Sequence, residues 1–255
     1  MRWLPVFKKE MRLYLGSPVG YVVCAAFLLI SGIFFSLLFL SFSEYSMRAM
    51  MQPQFSQNLN PTESVMRPVF SNMSVVLIFL MPMLTMRLFA EEKRSGTIEL
   101  LLTYPVRDGE VLLGKFLAVG ALYVAMLALS LLYPALIAYF TRVEWGAVLT
   151  GYLGLLLLGA TFLAIGVLIS SLTENQIVAA VISFVLAIGF WIIGWGADLA
   201  AGRLRTVLQY LSLLDHMEGF GKGVLDTKDI VYYVSLTAFA LFLTLRALEA
   251  KRWRG

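Results

Sequence analysis

The sequence predicts an all-α membrane protein with six transmembrane helices, both from its composition and from the spacing of its charges. Of its 255 residues, 60% are hydrophobic and only 14% are charged, whereas a soluble domain carries about 25% charged residues. A helix needs roughly 20 apolar residues to cross a bilayer. Six intervals contain no Asp, Glu, Lys or Arg, and they are 13–43, 68–86, 116–141, 145–173, 175–197 and 230–245. The sixth is short, but Arg246 can extend its charge to the interface, so Ala247 and Leu248 add to its apolar length.

A basic amphipathic helix is predicted ahead of the first span, over residues 1–17. Gly16, Ser17 and Pro18 separate it from the span, because this sequence disfavours a continuous helix. Aromatic and aliphatic side chains lie on one side of its helical wheel and basic ones on the other. This pattern predicts a helix at the membrane surface with its cations toward lipid phosphates, and the alternative is a solvated basic tail. The residues assigned to the surface helix are Trp3, Phe7, Lys8, Lys9 and Arg12.

The other elements follow in chain order within a single transmembrane domain, 1–255. Transmembrane helices are predicted at 18–42, 69–88, 112–140, 147–171, 176–197 and 230–249, with a charged loop at 89–111 and an external loop at 198–229. Pro82 is expected to kink the second span. Gly189, Gly194 and Gly196 in the fifth span are candidates for close helix approach.

The loop 198–229 has features of its own. Residues 204–214 form an amphipathic stretch that is too short to span, and we expect it to dip into the outer leaflet. Asp226 and Asp229 are expected to fix the start of the sixth span. His216 is the single histidine of the chain and is interpreted as an ordinary loop residue.

The distribution of Lys and Arg predicts the orientation. Of the 20 basic residues, thirteen lie in the N-terminal segment, in the loop between spans two and three, and at the C-terminus; seven lie on the other side. Cytoplasmic loops carry the excess of positive charge. Both termini and the loop 89–111 are therefore expected to be cytoplasmic.

The charges missing from the six intervals restrict the possible functions. An ionisable group at mid-bilayer costs at least about 2.5–3.5 kcal/mol and is usually retained for ion or proton pathways, so an ion-coupled carrier is disfavoured. The sequence has no His/Cys cluster typical of a metal site, and no nucleic-acid partner is predicted. Energy for any transport is expected to come from outside this chain.

The stretch 109–115 satisfies the first seven positions of the phosphate-binding pattern GxxxxGK. Phe116 stands where Ser or Thr should coordinate magnesium, and no strand is predicted before it. Asp108 is instead expected to cap the next helix, with Glu110 in its first turn and Lys115 at the membrane boundary. We therefore do not predict nucleotide binding by this chain.

The charged loop contains a short apolar segment that is expected to pack against other parts of a protein. The second span is predicted to continue as a helix through Arg94 and to end at Ser95 and Gly96. The following segment, 97–103, is apolar on two faces, so packing on the membrane domain is expected on one face and a protein groove on the other. The alternative is a loop that folds only against its own helices.

Several segments together resemble a known family. Glu91, Ser95-Gly96-Thr97, Glu99, Leu101-Leu102 and Pro105, followed by Leu113-Gly114-Lys115, are similar to the first cytoplasmic loop of type-2 ABC exporter permeases. The stretch 170–176 resembles the second cytoplasmic turn of that family. The pattern of His216, Phe220, Gly223, Asp226, Asp229 and Tyr232-Tyr233 resembles the branch that contains the gliding-motility permease GldF and the permease NosY. The similarity extends over nearly the whole chain.

This resemblance implies a mechanism and a set of site residues. Such permeases pair as dimers, with a second copy or a paralogue, and each half rests on a cytosolic ABC ATPase that binds ATP and magnesium. No cofactor is then expected in this chain, and the membrane is expected to be a bacterial inner membrane. Residues 96–105 would be the coupling helix, residues 91–94 its polar support, and Glu174 and Asn175 either a smaller contact or a capped turn. The residues assigned to ATPase coupling are Glu91, Glu92, Lys93, Arg94, Gly96, Thr97, Ile98, Glu99, Leu101, Leu102, Pro105, Glu174 and Asn175.

Three functions follow in order of preference. The first is the membrane permease subunit of an ATP-driven exporter, or of an ABC machine that transmits force across the membrane. The second is a six-span anchor for a non-ATPase cytosolic partner, and the third is an ion-coupled carrier. The polar external stretch 44–67 is a candidate contact for an accessory membrane or periplasmic protein.

Overall fold

A computed structural model describes residues 3–51, 60–97 and 107–252 of the chain. Over these residues the regular structure is helical, without strands. The helices are α1 (Trp3–Gly16), α2 (Pro18–Met51), α3 (Arg67–Thr85), α4 (Ala90–Arg94), α5 (Asp108–Ser130), α6 (Leu132–Phe140), α7 (Trp145–Leu172), α8 (Gln176–Leu199), α9 (Gly202–Leu211), α10 (Leu213–Gly221) and α11 (Thr227–Arg252). A π-helical turn, Thr62–Met66, leads into α3.

Six helical segments are long and apolar enough to cross a membrane, which confirms the predicted fold class. They are Pro18–Ala49, Thr62–Arg94, Asp108–Phe140, Trp145–Leu172, Gln176–Gly196 and Thr227–Ala250, called spans one to six. Helix α2, which forms span one, runs to Met51, past the expected end of this span at residue 42. The loop expected at 198–229 contains the two helices α9 and α10.

Spans two and four form the centre of the bundle. In the most apolar stretch of each, 72% of residues are buried, against 22%, 22% and 17% in spans one, five and six. Gly166 in α7 faces Thr85 so closely that an added Cβ would lie 2.1 Å from the Thr85 hydroxyl oxygen. The absence of a side chain at Gly166 therefore permits the close approach of spans two and four.

The two faces of the bundle are capped differently. The face at which α1 lies is called the N-terminal face, and the face at which α9 and α10 lie is called the opposite face. On the opposite face, Gly194 is the glycine of span five that permits close approach, since an added Cβ would lie 2.8 Å from the Ser212 hydroxyl. An added Cβ at Gly189 would meet no atom within 4 Å among the described residues.

His216 is a structural residue of the opposite face rather than an ordinary loop histidine. Its side chain is buried, its Nδ1 lies 2.6 Å from Oδ1 of Asp229 and its Nε2 lies 3.0 Å from the carbonyl oxygen of Tyr210. The ring stacks on Tyr232 with centroids 4.2 Å apart. These contacts hold the helical hairpin α9–α10 to the first turn of α11, so Asp229 does help to fix the start of span six.

Candidate coupling site

The site lies on the N-terminal face, where α1, residues 86–97, the start of α5 and the end of α7 meet. The helix α1 ends at Gly16 and α2 begins at Pro18, as the sequence predicted. Ser17 accepts a hydrogen bond from the backbone N–H of Val19 at 3.3 Å, which satisfies one of the free donors at the start of α2. The two helices are thus separate elements joined by a single residue.

Gly114 allows α1 to lie directly against α5. An added Cβ at Gly114 would lie 2.8 Å from Cβ of Val6 and 2.9 Å from the carbonyl oxygen of Trp3, closer than side chains tolerate. The stretch 109–115 that resembled a phosphate-binding loop is helical throughout. Helix α5 begins at Asp108 with Arg107 as its N-cap, one residue earlier than predicted, and the carboxylate of Glu110 accepts a hydrogen bond from the Arg107 N–H at 3.3 Å.

Four charged side chains meet beneath α1, and we call Lys9, Glu10, Glu92 and Lys115 the ionic cluster. Lys115 Nζ lies 2.7 Å from Glu10 Oε1, 2.9 Å from Glu92 Oε1 and 2.7 Å from the carbonyl oxygen of Leu88. The side chain of Lys115 is 1% exposed, so its three N–H donors are all used inside the protein. Lys9 Nζ donates to Glu92 Oε1 at 2.7 Å. Two cations and two anions balance, which is the condition for burying charge at tolerable cost.

Lys9 remains charged in this setting. Burial lowers the pKa of its ammonium, but the hydrogen bond to Glu92 and the charges of Glu92, Glu10 and Glu91 outweigh burial, and the pKa lies above its ordinary value. The side chain is half exposed, and its ammonium group bonds to Glu92. This differs from the expectation that all the cations of α1 point to lipid phosphates.

Span two is interrupted at residues 86–89, between α3 and α4, and Ser170 of span four bridges the interruption. The Ser170 hydroxyl oxygen accepts hydrogen bonds from the N–H groups of Phe89 at 3.0 Å and Ala90 at 3.1 Å. It donates to the carbonyl oxygen of Met86 at 3.0 Å. One donor and two lone pairs are the full capacity of a hydroxyl. A side chain of span four therefore satisfies backbone groups that the break in span two leaves without helical partners.

Two further basic residues fasten the same segment. Lys93 Nζ donates to the carbonyl oxygen of Ser171 at the end of α7. Arg87 donates to the Ser17 hydroxyl at 3.0 Å and lies over the ring of Tyr14, 4.4 Å from its centroid. Tyr14 is buried, and its hydroxyl donates to the carbonyl oxygen of Leu84 at 2.7 Å. Residues 86–93 are thus attached to the α1–α2 junction on one side and to span four on the other.

The predicted support residues 91–94 are divided between buried and exposed positions. Glu92 lies in the ionic cluster and Lys93 contacts span four, while Glu91 and Arg94 are exposed. Helix α4 ends at Arg94 and Gly96 follows with φ of 70°, in agreement with the predicted helix end. Thr97 Oγ1 lies 2.8 Å from the Ser95 hydroxyl. The remaining members of the predicted coupling helix lie outside the described residues, and they are Ile98, Glu99, Leu101, Leu102 and Pro105.

The other predicted residues occupy simpler positions. Trp3 and Phe7 form an edge-to-face pair with centroids 6.1 Å apart, and Lys8 and Arg12 are exposed. Glu174 and Asn175 are also exposed. The side-chain oxygen of Asn175 accepts from the N–H of Ile177 at 2.9 Å, so it caps α8. This arrangement fits the capped-turn alternative for Asn175, and the ATPase contact of the two residues stays a prediction.

Sequence reasoning missed three members of the site. Glu10 was not singled out, although it falls on the stripe of Trp3, Phe7 and Tyr14, where an acid on an apolar face indicates a buried ion pair. Lys115 was placed at the membrane boundary, yet it is buried. Ser170 appeared only as part of a longer segment, and no local pattern distinguishes it from Ser171.

Comparison with known proteins agrees with this architecture. Residues 4–248 match the family described as ABC-2 family transporter protein. One curated relative, described as "Probable ABC transporter permease protein NosY", from Pseudomonas aeruginosa, is 35% identical over 136 residues. The aligned part covers 48% of this chain and 46% of that relative, so the match spans about half of each. The predicted family is thus confirmed: the chain is an integral membrane protein and belongs to the ABC-2 family of transporter proteins.

Proposed function

We propose that the chain is the membrane permease subunit of an ABC exporter or force-transmitting ABC machine, and that a separate cytosolic ATPase supplies the energy. ATP and magnesium bind to that ATPase, and this chain carries no cofactor of its own. The protein lies in a bacterial inner membrane, with the N-terminal face and both termini on its cytosolic side. The relative described as a permease supports the proposal.

One observation carries the proposal. Residues 86–97, which lead into the loop with the coupling motif, are tied by the ionic cluster to α1 and span three and by Ser170 and Lys93 to span four. A push on the loop from an ATPase would therefore reach several spans together. A loop without these contacts could move alone, and it would transmit little of the ATPase movement to the spans.

The permease works as a dimer, with a second copy or a paralogue. In the most apolar stretch of spans one, five and six, fewer than a quarter of the residues are buried in the single chain, and lipid together with a second permease would cover the rest. The external stretch 44–67 contacts an accessory protein. Helix α1 lies along the membrane surface, with Lys8 and Arg12 toward lipid headgroups.

The test is a pull-down of the protein from its native membrane in mild detergent, followed by measurement of the ATPase stoichiometry and of ATP hydrolysis. We expect one ATPase per permease. Replacing Gly96 by Trp should reduce ATPase retention or ATP-driven activity at least about tenfold, because the substitution alters the start of the coupling segment. The Glu99→Ala variant should act in the same direction, with Glu249→Ala on the same face as its control.

Gly202→Trp is the matched control for Gly96→Trp. Both glycines have positive φ, 70° and 62°, and an added Cβ would meet no atom of the described residues within 4 Å at either, so the backbone strain is comparable. Gly202 lies on the opposite face and its variant should keep full activity. Equal loss in both variants would refute the role of the 96–105 segment. A stable protein with a non-ATPase partner would instead establish the anchoring function.

A further inference from the structure

The break in span two has features that a simple kink does not need. Arg87 within the break and Glu92 just after it carry buried charged atoms that are unpaired among the described residues. These atoms are Nη2 of Arg87 and Oε2 of Glu92. An unpaired buried polar atom costs about 1–3 kcal/mol, and such groups in a native protein require an explanation. Within the described part of the chain, the arrangement of residues 86–94 therefore leaves two of its polar atoms without partners.

The bonds across the break come mainly from span four. Three hydrogen bonds of Ser170 reach Met86, Phe89 and Ala90, and the neighbouring carbonyl of Ser171 receives Lys93. Ser170 is fully buried, so water does not compete for its hydroxyl. The end of span four is thus bonded to both ends of the break, at Met86, which directly follows α3, and at Ala90, which begins α4.

The preceding helical turn of span four also contacts span two. Gly166, one helical turn before Ser170, receives Thr85 in close contact. Thr85 in turn donates to the carbonyl oxygen of Met81 at 3.0 Å. Spans two and four are therefore in close contact at Thr85. Beyond it, the N–H of Leu88 bonds to the Thr85 carbonyl oxygen at 3.1 Å, and the N–H groups of Phe89 and Ala90 bond to Ser170 instead of to carbonyl groups of span two. This places the pivot at residues 86–89.

We propose that residues 86–89 form a hinge and that Ser170 is its positioning residue, which transmits displacement of α4 to span four. This proposal rests on the proposed function for the origin of the displacement. The Ser170 hydroxyl keeps Met86 and Ala90 at a fixed separation from span four while α4 rotates. Rotation of α4 brings Arg87 Nη2 and Glu92 Oε2 to new hydrogen-bond partners. The conformations before and after the rotation therefore differ in how many buried polar atoms are paired.

The test compares Ser170→Ala with Ser171→Ala by hydrogen exchange. Both serines are buried neighbours in α7, but Ser171 Oγ donates only within its own helix, to the carbonyl oxygen of Leu168 at 2.7 Å. In the full-length protein alone, Ser170→Ala should speed exchange of the amides of Phe89 and Ala90 about tenfold, since each loses a bond that contributes roughly that factor. Ser171→Ala should match the wild type in this segment.

The second arm uses the complex with the ATPase that copurifies. On addition of ATP, wild type and Ser171→Ala should show changed exchange both at residues 90–97 and at residues 165–172. In Ser170→Ala the change at 90–97 should persist and that at 165–172 should fall at least about fivefold, while ATPase binding is retained. An undiminished change at 165–172 would overturn the proposal, as would unchanged exchange of Phe89 and Ala90. If no ATPase copurifies, the proposed function fails, and the first arm still decides whether Ser170 fixes the break.

Discussion

The ionic cluster on the N-terminal face and the His216–Asp229 pair on the opposite face are the two buried charged centres of the bundle that the structure describes. The ionic cluster joins residues far apart in the chain, since Lys115 and Glu10 are separated by 105 positions and Lys9 and Glu92 by 83. His216 and Asp229 are separated by 13. One centre connects distant segments, and the other closes a local hairpin.

This difference indicates how each face can move. The His216–Asp229 pair, with Tyr210 and Tyr232 around it, links α9 and α10 to span six. The hairpin also packs on span four, where the Thr150 hydroxyl lies 3.0 Å from the carbonyl oxygen of Phe220, and on span five at Gly194. The pair is therefore one of several local contacts that hold the opposite face. In the ionic cluster, α1, α4 and α5 share the same carboxylates, so a shift of one element changes the contacts of the other two. Movement of the N-terminal face is expected to be concerted.

Replacing Lys115 by Met should have the largest effect. It removes the shared ammonium and leaves Glu10 buried with only a weak interaction with Lys9 at 3.9 Å, and breaking a buried ion pair costs about 3–5 kcal/mol. The free energy of unfolding in detergent measures the loss. Lys222→Met is the control, because Lys222 is half exposed in its pair with Glu218 on the opposite face. Equal stability of the two variants would contradict a cluster that holds the face together.

Asp229→Asn should have a smaller and local effect. The substitution keeps the shape but removes the charge of the hydrogen bond to His216, which contributes about 1.5–3 kcal/mol. We expect faster tryptic cleavage at Arg203 and Arg205 in α9, with no change on the N-terminal face. Asp226→Asn, at an exposed carboxylate, serves as the control. Destabilisation of α1 in Asp229→Asn would show that the two faces are not independent.

Gly114→Ala tests whether the ionic cluster depends on the close packing of α1 against α5. The added methyl group would meet Val6 and the Trp3 carbonyl, and overpacking of this kind costs about 1–3 kcal/mol. Gly120→Ala in the same helix is the control, because no atom in the described part of the chain lies within 4 Å of an added Cβ there. The unfolding free energy should fall in the first variant and stay constant or rise in the second. Unchanged stability of Gly114→Ala would mean that α1 is loosely placed.

Arg246→Ala should have the smallest effect. Arg246 pairs with Glu249 at 2.9 Å, but both side chains are well exposed, and such pairs contribute about 0.2–1 kcal/mol. We expect no resolvable change in the unfolding free energy. A loss comparable to that of Lys115→Met would show that burial is not what distinguishes the ionic cluster.

Much of the fold could be predicted because a bilayer imposes a length on each apolar helix. The charge-free intervals identified six spans, and the residues Gly16 to Pro18 identified the end of α1. Helix ends were less predictable. Residues 43–51 are not uniformly apolar, yet the helix continues through them, because helix formation does not require an apolar environment.

The site could be predicted only in part, because its contacts are long-range. The helical wheel placed Lys9 on the polar side of α1, and nothing local reveals that its flexible side chain reaches Glu92. The helix end at Gly96 was predictable from glycine chemistry alone. The role of Ser170 depends on a break in another helix, and single-sequence periodicity has no access to that relation.

The complete burial of Lys115 has a practical consequence. Acylating reagents attack a free amine, and the amine of Lys115 is shielded by α1 and held by three acceptors, whereas Lys8 on the same face is exposed. The two lysines thus form an internal pair for chemical footprinting, one always reactive and one protected. Labelling of Lys115 in intact membranes would report each occasion on which α1 separates from α5.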